Sequence, residues 1–138
     1  MESPIKSNES LVECSAVIVK ETETETKGLG AFAKNDIKKD DLIEKGVCRT
    51  ICIDGNNNPY LFTWSEDRSM WAFGSGCSTF YNTSLEPNTK MIRNFDNDSF
   101  EIYALRDIQK DEELTHKYRS LEWRECFQDL NKNLKLNK

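Results

Sequence analysis

Apolar residues fall along this chain in short runs separated by Gly, Asn, Asp and Pro. Ser15-Ala16-Val17-Ile18-Val19 is brief and β-branched, the composition of a strand. The same reading applies to Leu42-Ile43-Glu44, to residues 47–53, to the aromatic run Tyr60-Leu61-Phe62-Thr63-Trp64 and to residues 69–73. Asp54-Gly55 followed by Asn56-Asn57-Asn58-Pro59 signals a turn, and Gly74-Ser75-Gly76 ends another candidate strand. Residues 89–93 and 99–104 flank Asn94-Phe95-Asp96-Asn97-Asp98 and predict a hairpin. Many short strands with turn punctuation place the fold in the mainly β class.

One stretch carries the period of a helix. Trp123, Phe127, Leu130 and Leu134 recur at intervals of 4, 3 and 4 residues, which lines one helix face. Ser120 stands where an N-cap belongs, and Glu122 suits the positive end of the first turn. The last residues, 131–138, are low in complexity and are expected to fray, and residues 1–14 read as a flexible lead-in. The alternating Glu21-Thr22-Glu23-Thr24-Glu25-Thr26 would set like charges on one strand face, which predicts an exposed loop.

Composition narrows the picture. A chain of 138 residues is one domain's worth, long enough to fold without metals or disulfides. Three Trp, four Tyr and seven Phe supply core volume to an otherwise polar sequence. No stretch approaches the ~20 apolar residues of a membrane helix, and the first residues lack the apolar core of a signal peptide. An intracellular protein, nuclear or cytoplasmic, is the expectation. Net charge is -5 at pH 7. That balance disfavours direct nucleic-acid binding and suits a basic, Lys-rich protein partner. The five Cys include no Cys-x-x-Cys pair, and His116 is the only histidine, so no metal site is expected and the thiols read as reduced.

Three segments carry chemistry. Lys27-Gly28-Leu29-Gly30-Ala31-Phe32-Ala33 sets two glycines around one residue, which lets the backbone turn and approach a ligand closely. Phe80-Tyr81-Asn82-Thr83-Ser84-Leu85-Glu86-Pro87-Asn88 is a loop rich in local side-chain hydrogen bonds. Residues 104–118, Ala-Leu-Arg-Asp-Ile-Gln-Lys-Asp-Glu-Glu-Leu-Thr-His-Lys-Tyr, read as a strand end, a polar turn, a short strand and an aromatic. Singly, each has an ordinary structural reading: a tight turn, a loop, a strand edge.

Together, in this order, they resemble the SET domain of protein lysine methyltransferases. The family's Gly-x-Gly-hydrophobic-Phe-Ala segment corresponds to residues 28–33. Its Asn-His-Ser-x-x-Pro-Asn loop corresponds to residues 82–88, and its Ala-Leu-Arg-Asp-Ile-x-x-Gly-Glu-Glu-Leu-Thr-x-x-Tyr stretch to residues 104–118. The compact layout is similar to small stand-alone viral and microbial SET proteins without a Cys-rich segment after the catalytic Tyr. The resemblance divides the chain into a lead-in (1–14), a SET domain (15–120) and a C-terminal helix with its tail (121–138). It implies a β-clip fold of several short sheets with a pseudoknot.

The resemblance also implies a function: transfer of a methyl group from S-adenosylmethionine to a lysine of a basic protein such as a histone. Lys27, Gly28, Leu29 and Gly30 would meet the methionine part of the cofactor, Asn82 its amino-acid end, and backbone at Thr83 its adenine. Tyr118 would be the catalytic group. Trp123, with Phe127, would either cover the cofactor or the lysine channel, or simply pack the helix on the sheets. Two departures stand out: Thr83 replaces the family's His, and His116 stands two residues before Tyr118 where a second Tyr is usual. They leave open a rival reading, a SET fold with weak or no turnover that only docks a basic partner. A homodimer is compatible with either.

Overall fold

The computed structural model describes residues 9–23, 28–65, 67, 69–118 and 128–136. Lys27, Trp123 and Phe127 lie outside the described residues. Among the described residues, nine strands appear in chain order: β1 Val17–Glu21, β2 Leu29–Ala33, β3 Leu42–Ile51, β4 Phe62–Thr63, β5 Trp71–Gly74, β6 Asn82–Thr83, β7 Thr89–Asn94, β8 Ser99–Ala104 and β9 Glu113–His116. A 3-10 turn, Ser78–Phe80, precedes β6, and helix α1 spans Gln128–Leu136. The strands form two sheets, ordered β1-β2-β9-β6 and β4-β5-β3-β8-β7.

The larger sheet shows the alternation of a half-buried strand. Along β8, Phe100, Ile102 and Ala104 are buried while Glu101 faces solvent. These side chains meet Ile43, Cys48, Ala72, Ile108 and Leu114 in the core. Phe100 retains 1% of its surface, and burying a side chain of this size contributes roughly 1.5–3 kcal/mol. The β7–β8 hairpin pairs Thr89 with Ala104 through Asn94 with Ser99, in the expected position. Asn94 caps its turn by accepting from the Asp96 amide at 3.0 Å, and Asp98 takes a positive φ of 51°.

Several expected boundaries shift. The two short strands expected at 42–44 and 47–53 are one ten-residue strand, β3, with an irregularity between Leu42 and Glu44. It survives Gly46 because β8 pairs along one edge from Val47 back to Leu42, and β5 along the other from Cys48 onward. The aromatic run at 60–64 contributes only Phe62 and Thr63 to a sheet. Gly30 is not in a turn but inside β2. Asn82 and Thr83, read as loop, form a two-residue strand parallel to β9. Leu130 on α1 is 37% exposed, and the helix continues to Leu136.

Candidate functional site

The smaller sheet brings together residues that are far apart in sequence. β9 lies between β2 and β6: Ala31 pairs with Leu114 on one side, and Asn82 and Thr83 pair with Thr115 and His116 on the other. Leu114 and Thr115 are buried, so β9 is fixed between its neighbours by its own apolar content. The glycine segment, the Asn82 strand and the residues before Tyr118 thus occupy one sheet.

Gly28 opens the segment with φ 68°, a conformation glycine adopts without strain. Gly30 meets a different constraint. A Cβ there would stand 2.8 Å from Glu113 Oε2, 2.9 Å from Thr22 Cγ2 and 3.1 Å from Asn82 Nδ2. Only a residue without a side chain lets β2 run this close to the two polar groups. Asn82 donates from Nδ2 to the Leu29 carbonyl at 3.1 Å and to Glu113 Oε2 at 2.8 Å. Its amide oxygen makes no hydrogen bond among the described residues and is left as an acceptor. An acceptor beside a carboxylate and an exposed backbone suits a small cationic group such as an α-ammonium.

Tyr118 is half-buried and held on both sides of Asn82. Its backbone amide donates to Thr83 Oγ1 at 3.1 Å and its hydroxyl to the Tyr81 carbonyl at 2.9 Å. The Thr83 hydroxyl is therefore occupied by the chain itself. The Tyr118 ring packs edge-on against His116, with centroids 5.1 Å apart.

Three buried residues have roles that the sequence did not assign. Asn88 is a clamp: its Oδ1 accepts from the Thr115 amide at 2.8 Å and its Nδ2 donates to the Glu113 carbonyl at 2.8 Å, tying β9 to the start of β7. Glu44 is fully buried; it accepts from the Cys77 amide and from the Tyr81 hydroxyl, each at 2.9 Å. Burial raises its carboxyl to about 7, against the lowering effect of those two donors. His116 is buried with its Nε2 unbonded among the described residues. Burial, then the nearby Arg93 charge, lowers its imidazole to about 3. It borders a cavity of about 380 Å³ that Pro87, Met91, Phe95 and Leu105 also line. Asn88 was visible within a motif, but Glu44 has no local signal at all.

Residues 28–119 match the SET domain. The chain belongs to the SET domain family. Among relatives, it is 33% identical over 110 residues to a histone-lysine N-methyltransferase, H3 lysine-4 specific, of Aspergillus oryzae. The match covers 68% of this chain and 9% of that protein. It is 29% identical over 109 residues to the H3 lysine-37 specific enzyme of Schizosaccharomyces pombe, covering 73% of each. Among solved structures, a Plasmodium falciparum protein described as a candidate histone methyltransferase superposes with TM-score 0.61 at 28% identity. That superposition covers 78% of this SET chain and 96% of the other. A humanized mutant of the Chaetomium thermophilum Polycomb Repressive Complex 2 gives TM-score 0.66 at 23% identity, over 78% of this chain and 15% of that one. The last likeness concerns the fold alone. Among the described residues no helix is long and apolar enough to cross a membrane.

Proposed function

We propose that this SET protein is an S-adenosylmethionine-dependent protein lysine N-methyltransferase acting on a basic protein such as a histone. One observation carries the reading: β9 joins Gly30 and Asn82 in one sheet and sets Tyr118 just past its end, with Asn82 bonded to Leu29 and Glu113 and Tyr118 bonded to Thr83 and Tyr81. The relatives' names support the substrate class.

When bound, S-adenosylmethionine supplies an electrophilic methyl on a sulfonium. The residues present fit it. Gly28, exposed and with nothing within 4 Å of a Cβ there, leaves backbone open to its methionine part, and the Asn82 side chain would meet its amino-acid end. Backbone at Thr83 would make the adenine contact, its hydroxyl being engaged by Tyr118. Where backbone makes that contact, the loss of the family's imidazole matters little; where the imidazole packs on the cofactor, affinity should fall.

Alignment is the main demand of an in-line displacement, and oriented reactants gain several kcal/mol from it. A lysine amine, with a reference pKa near 10.4, must arrive without its proton. Desolvation favours the neutral amine, and so does a neighbouring cationic sulfonium. The His116 imidazole, buried and held to about 3, stays neutral at pH 7, so it adds no charge beside Tyr118. Tyr118 is the group proposed to orient the amine, its hydroxyl already fixed by the Tyr81 carbonyl.

Calorimetric titration with S-adenosylmethionine, followed by methyl transfer to mixed histones, tests the assignment. Tyr118→Phe should keep cofactor binding and melting temperature but lose roughly 10²-fold or more in rate. Binding without turnover on any histone would favour the docking-module reading. Unchanged turnover in a folded Tyr118→Phe protein would remove Tyr118 from the mechanism.

A further inference from the structure

We propose that Cys14, Glu44 and Cys77 form a site for a soft divalent cation of the zinc class, clasping the segment before β1 to the turn that leads into the Asn82 strand. The two Sγ atoms and a Glu44 carboxylate oxygen all lie within 4.8 Å of one another. In a tetrahedral zinc site, bonds of about 2.3 Å to sulfur and 2.0–2.2 Å to oxygen set S···S near 3.8 Å and S···O near 3.6 Å. The observed spacing, at most 4.8 Å, stands about 1 Å above those separations. Two thiolates and one carboxylate are a donor set that favours zinc over magnesium or calcium.

The fold builds this cluster from three distant places. Cys14 is placed by a two-bond bridge next to it: Glu13 N to Lys45 O at 2.9 Å, and Lys45 N to Glu13 O at 3.0 Å. That bridge lays the lead-in segment beside Glu44 on β3. Cys77 begins the 3-10 turn, and its amide already donates to Glu44 Oε2 at 2.9 Å. Gly76 makes the approach feasible. Its φ is 63°, and a Cβ there would lie 2.5 Å from Glu44 Oε2 and 3.3 Å from Cys14 Sγ.

Among the described residues, no Lys, Arg or His pairs with the Glu44 carboxylate; its partners are the Cys77 amide and the Tyr81 hydroxyl. A divalent ion supplies the missing positive charge. Both Cys residues are only half-buried, which gives an entry path and room for a water as fourth ligand. Binding releases the two thiol protons to solvent and leaves Cys14 and Cys77 as thiolates. Because Glu44 holds the Tyr81 hydroxyl and the Tyr81 carbonyl holds Tyr118, the ion would brace the shelf on which Tyr118 rests.

Cobalt(II) titration of the full chain, kept reduced and metal-free beforehand, is the test. One equivalent should give a thiolate-to-cobalt charge-transfer band in the near ultraviolet with intense tetrahedral bands in the visible, and zinc should displace it. Cys14→Ser and Cys77→Ser should each weaken zinc binding beyond the roughly 10–100-fold that loss of an outer supporting contact costs. Cys52→Ser, at an exposed position, should bind as the parent does. Circular dichroism checks folding. If Cys77→Ser misfolds, the half-exposed Cys14→Ser decides. No band in the reduced parent, or a band unchanged in folded Cys14→Ser, overturns the proposal. So does recovery of Cys14 and Cys77 as a disulfide that persists when excess zinc is offered during reduction.

Discussion

His116→Phe should flatten the acid side of the stability curve. In the folded chain the imidazole is buried and stays neutral down to about 3, whereas in the unfolded chain it takes a proton near its ordinary value of 6.5. Between those values the unfolded state binds the extra proton. Stability therefore rises with pH through this window, is fully present above about 6.5, and is lost as pH falls toward 3. Protonation of the unfolded imidazole at pH 5 costs the fold about 2 kcal/mol relative to pH 7.5. Phenylalanine has no such proton to bind. The added ring volume opens toward the neighbouring cavity of about 380 Å³, so overpacking should be modest. The neutral-pH plateau is not the decisive reading. Removing an unbonded buried nitrogen stabilises, added volume destabilises, and both effects are about 1–3 kcal/mol. The decisive reading is the difference between parent and variant in urea midpoints at pH 7.5 and at pH 5. Carboxylates titrate in both proteins and cancel. Equal losses in the two proteins on going to pH 5 would refute a neutral, buried His116.

Asn82→Ala and Asn88→Ala should fail in opposite ways. The first should weaken S-adenosylmethionine binding by roughly 1.5–3 kcal/mol with little change in melting, and the second should lose about 1–3 kcal/mol for each buried partner left unpaired while its folded fraction still binds; equal binding losses in folded protein would contradict the assignment of Asn82. Gly30→Ala puts a methyl group against Glu113 and Asn82, so cofactor affinity should fall even where calorimetry shows the protein folded, and unchanged affinity would show that the close approach is unimportant. With a net charge of -5, the Michaelis constant for a Lys-rich substrate should rise with salt as exposed charges are screened over about 8 Å at 0.15 M; a salt-independent value would count against electrostatic capture.

The legible parts of this fold were those with a local signature. The two short apolar runs at 89–93 and 99–104, with Asn94 through Asp98 between them, marked the hairpin that carries Phe100 and Ile102. Motif order placed the glycine segment, Asn82 and Tyr118 at one site, and the fold bonds Asn82 to Leu29 and Tyr118 to the neighbours of Asn82. The illegible parts depend on contacts across the chain. Nothing near Glu44 in sequence says that Cys77 and Tyr81 will donate to it, because those donors arrive 33 and 37 residues later. Spacing rules for cysteine ligands look for neighbours, and Cys14 and Cys77 are not neighbours. Gly30 was read as a turn residue because glycine pairs usually are. Its place inside β2 follows from what stands opposite, Glu113 and Asn82, which only the sheet order reveals.

The position of β9 between β2 and β6 has a consequence for how the protein comes into being on the ribosome. Ala31 must wait for Leu114, and at about 5–20 residues per second that wait is roughly 4–17 s. Until then one edge of β2 has open backbone groups, with Phe32 beside it, and an unpaired edge is a template for another chain. The β7–β8 hairpin can form early, since its partners lie within a few residues of each other across the turn. The sheet of Gly30 and Asn82 cannot, because it pays for closing a long loop before any pairing repays it. The smaller sheet is therefore completed only once β9 has emerged, and its half-made edge leaves a growing chain exposed to misassociation.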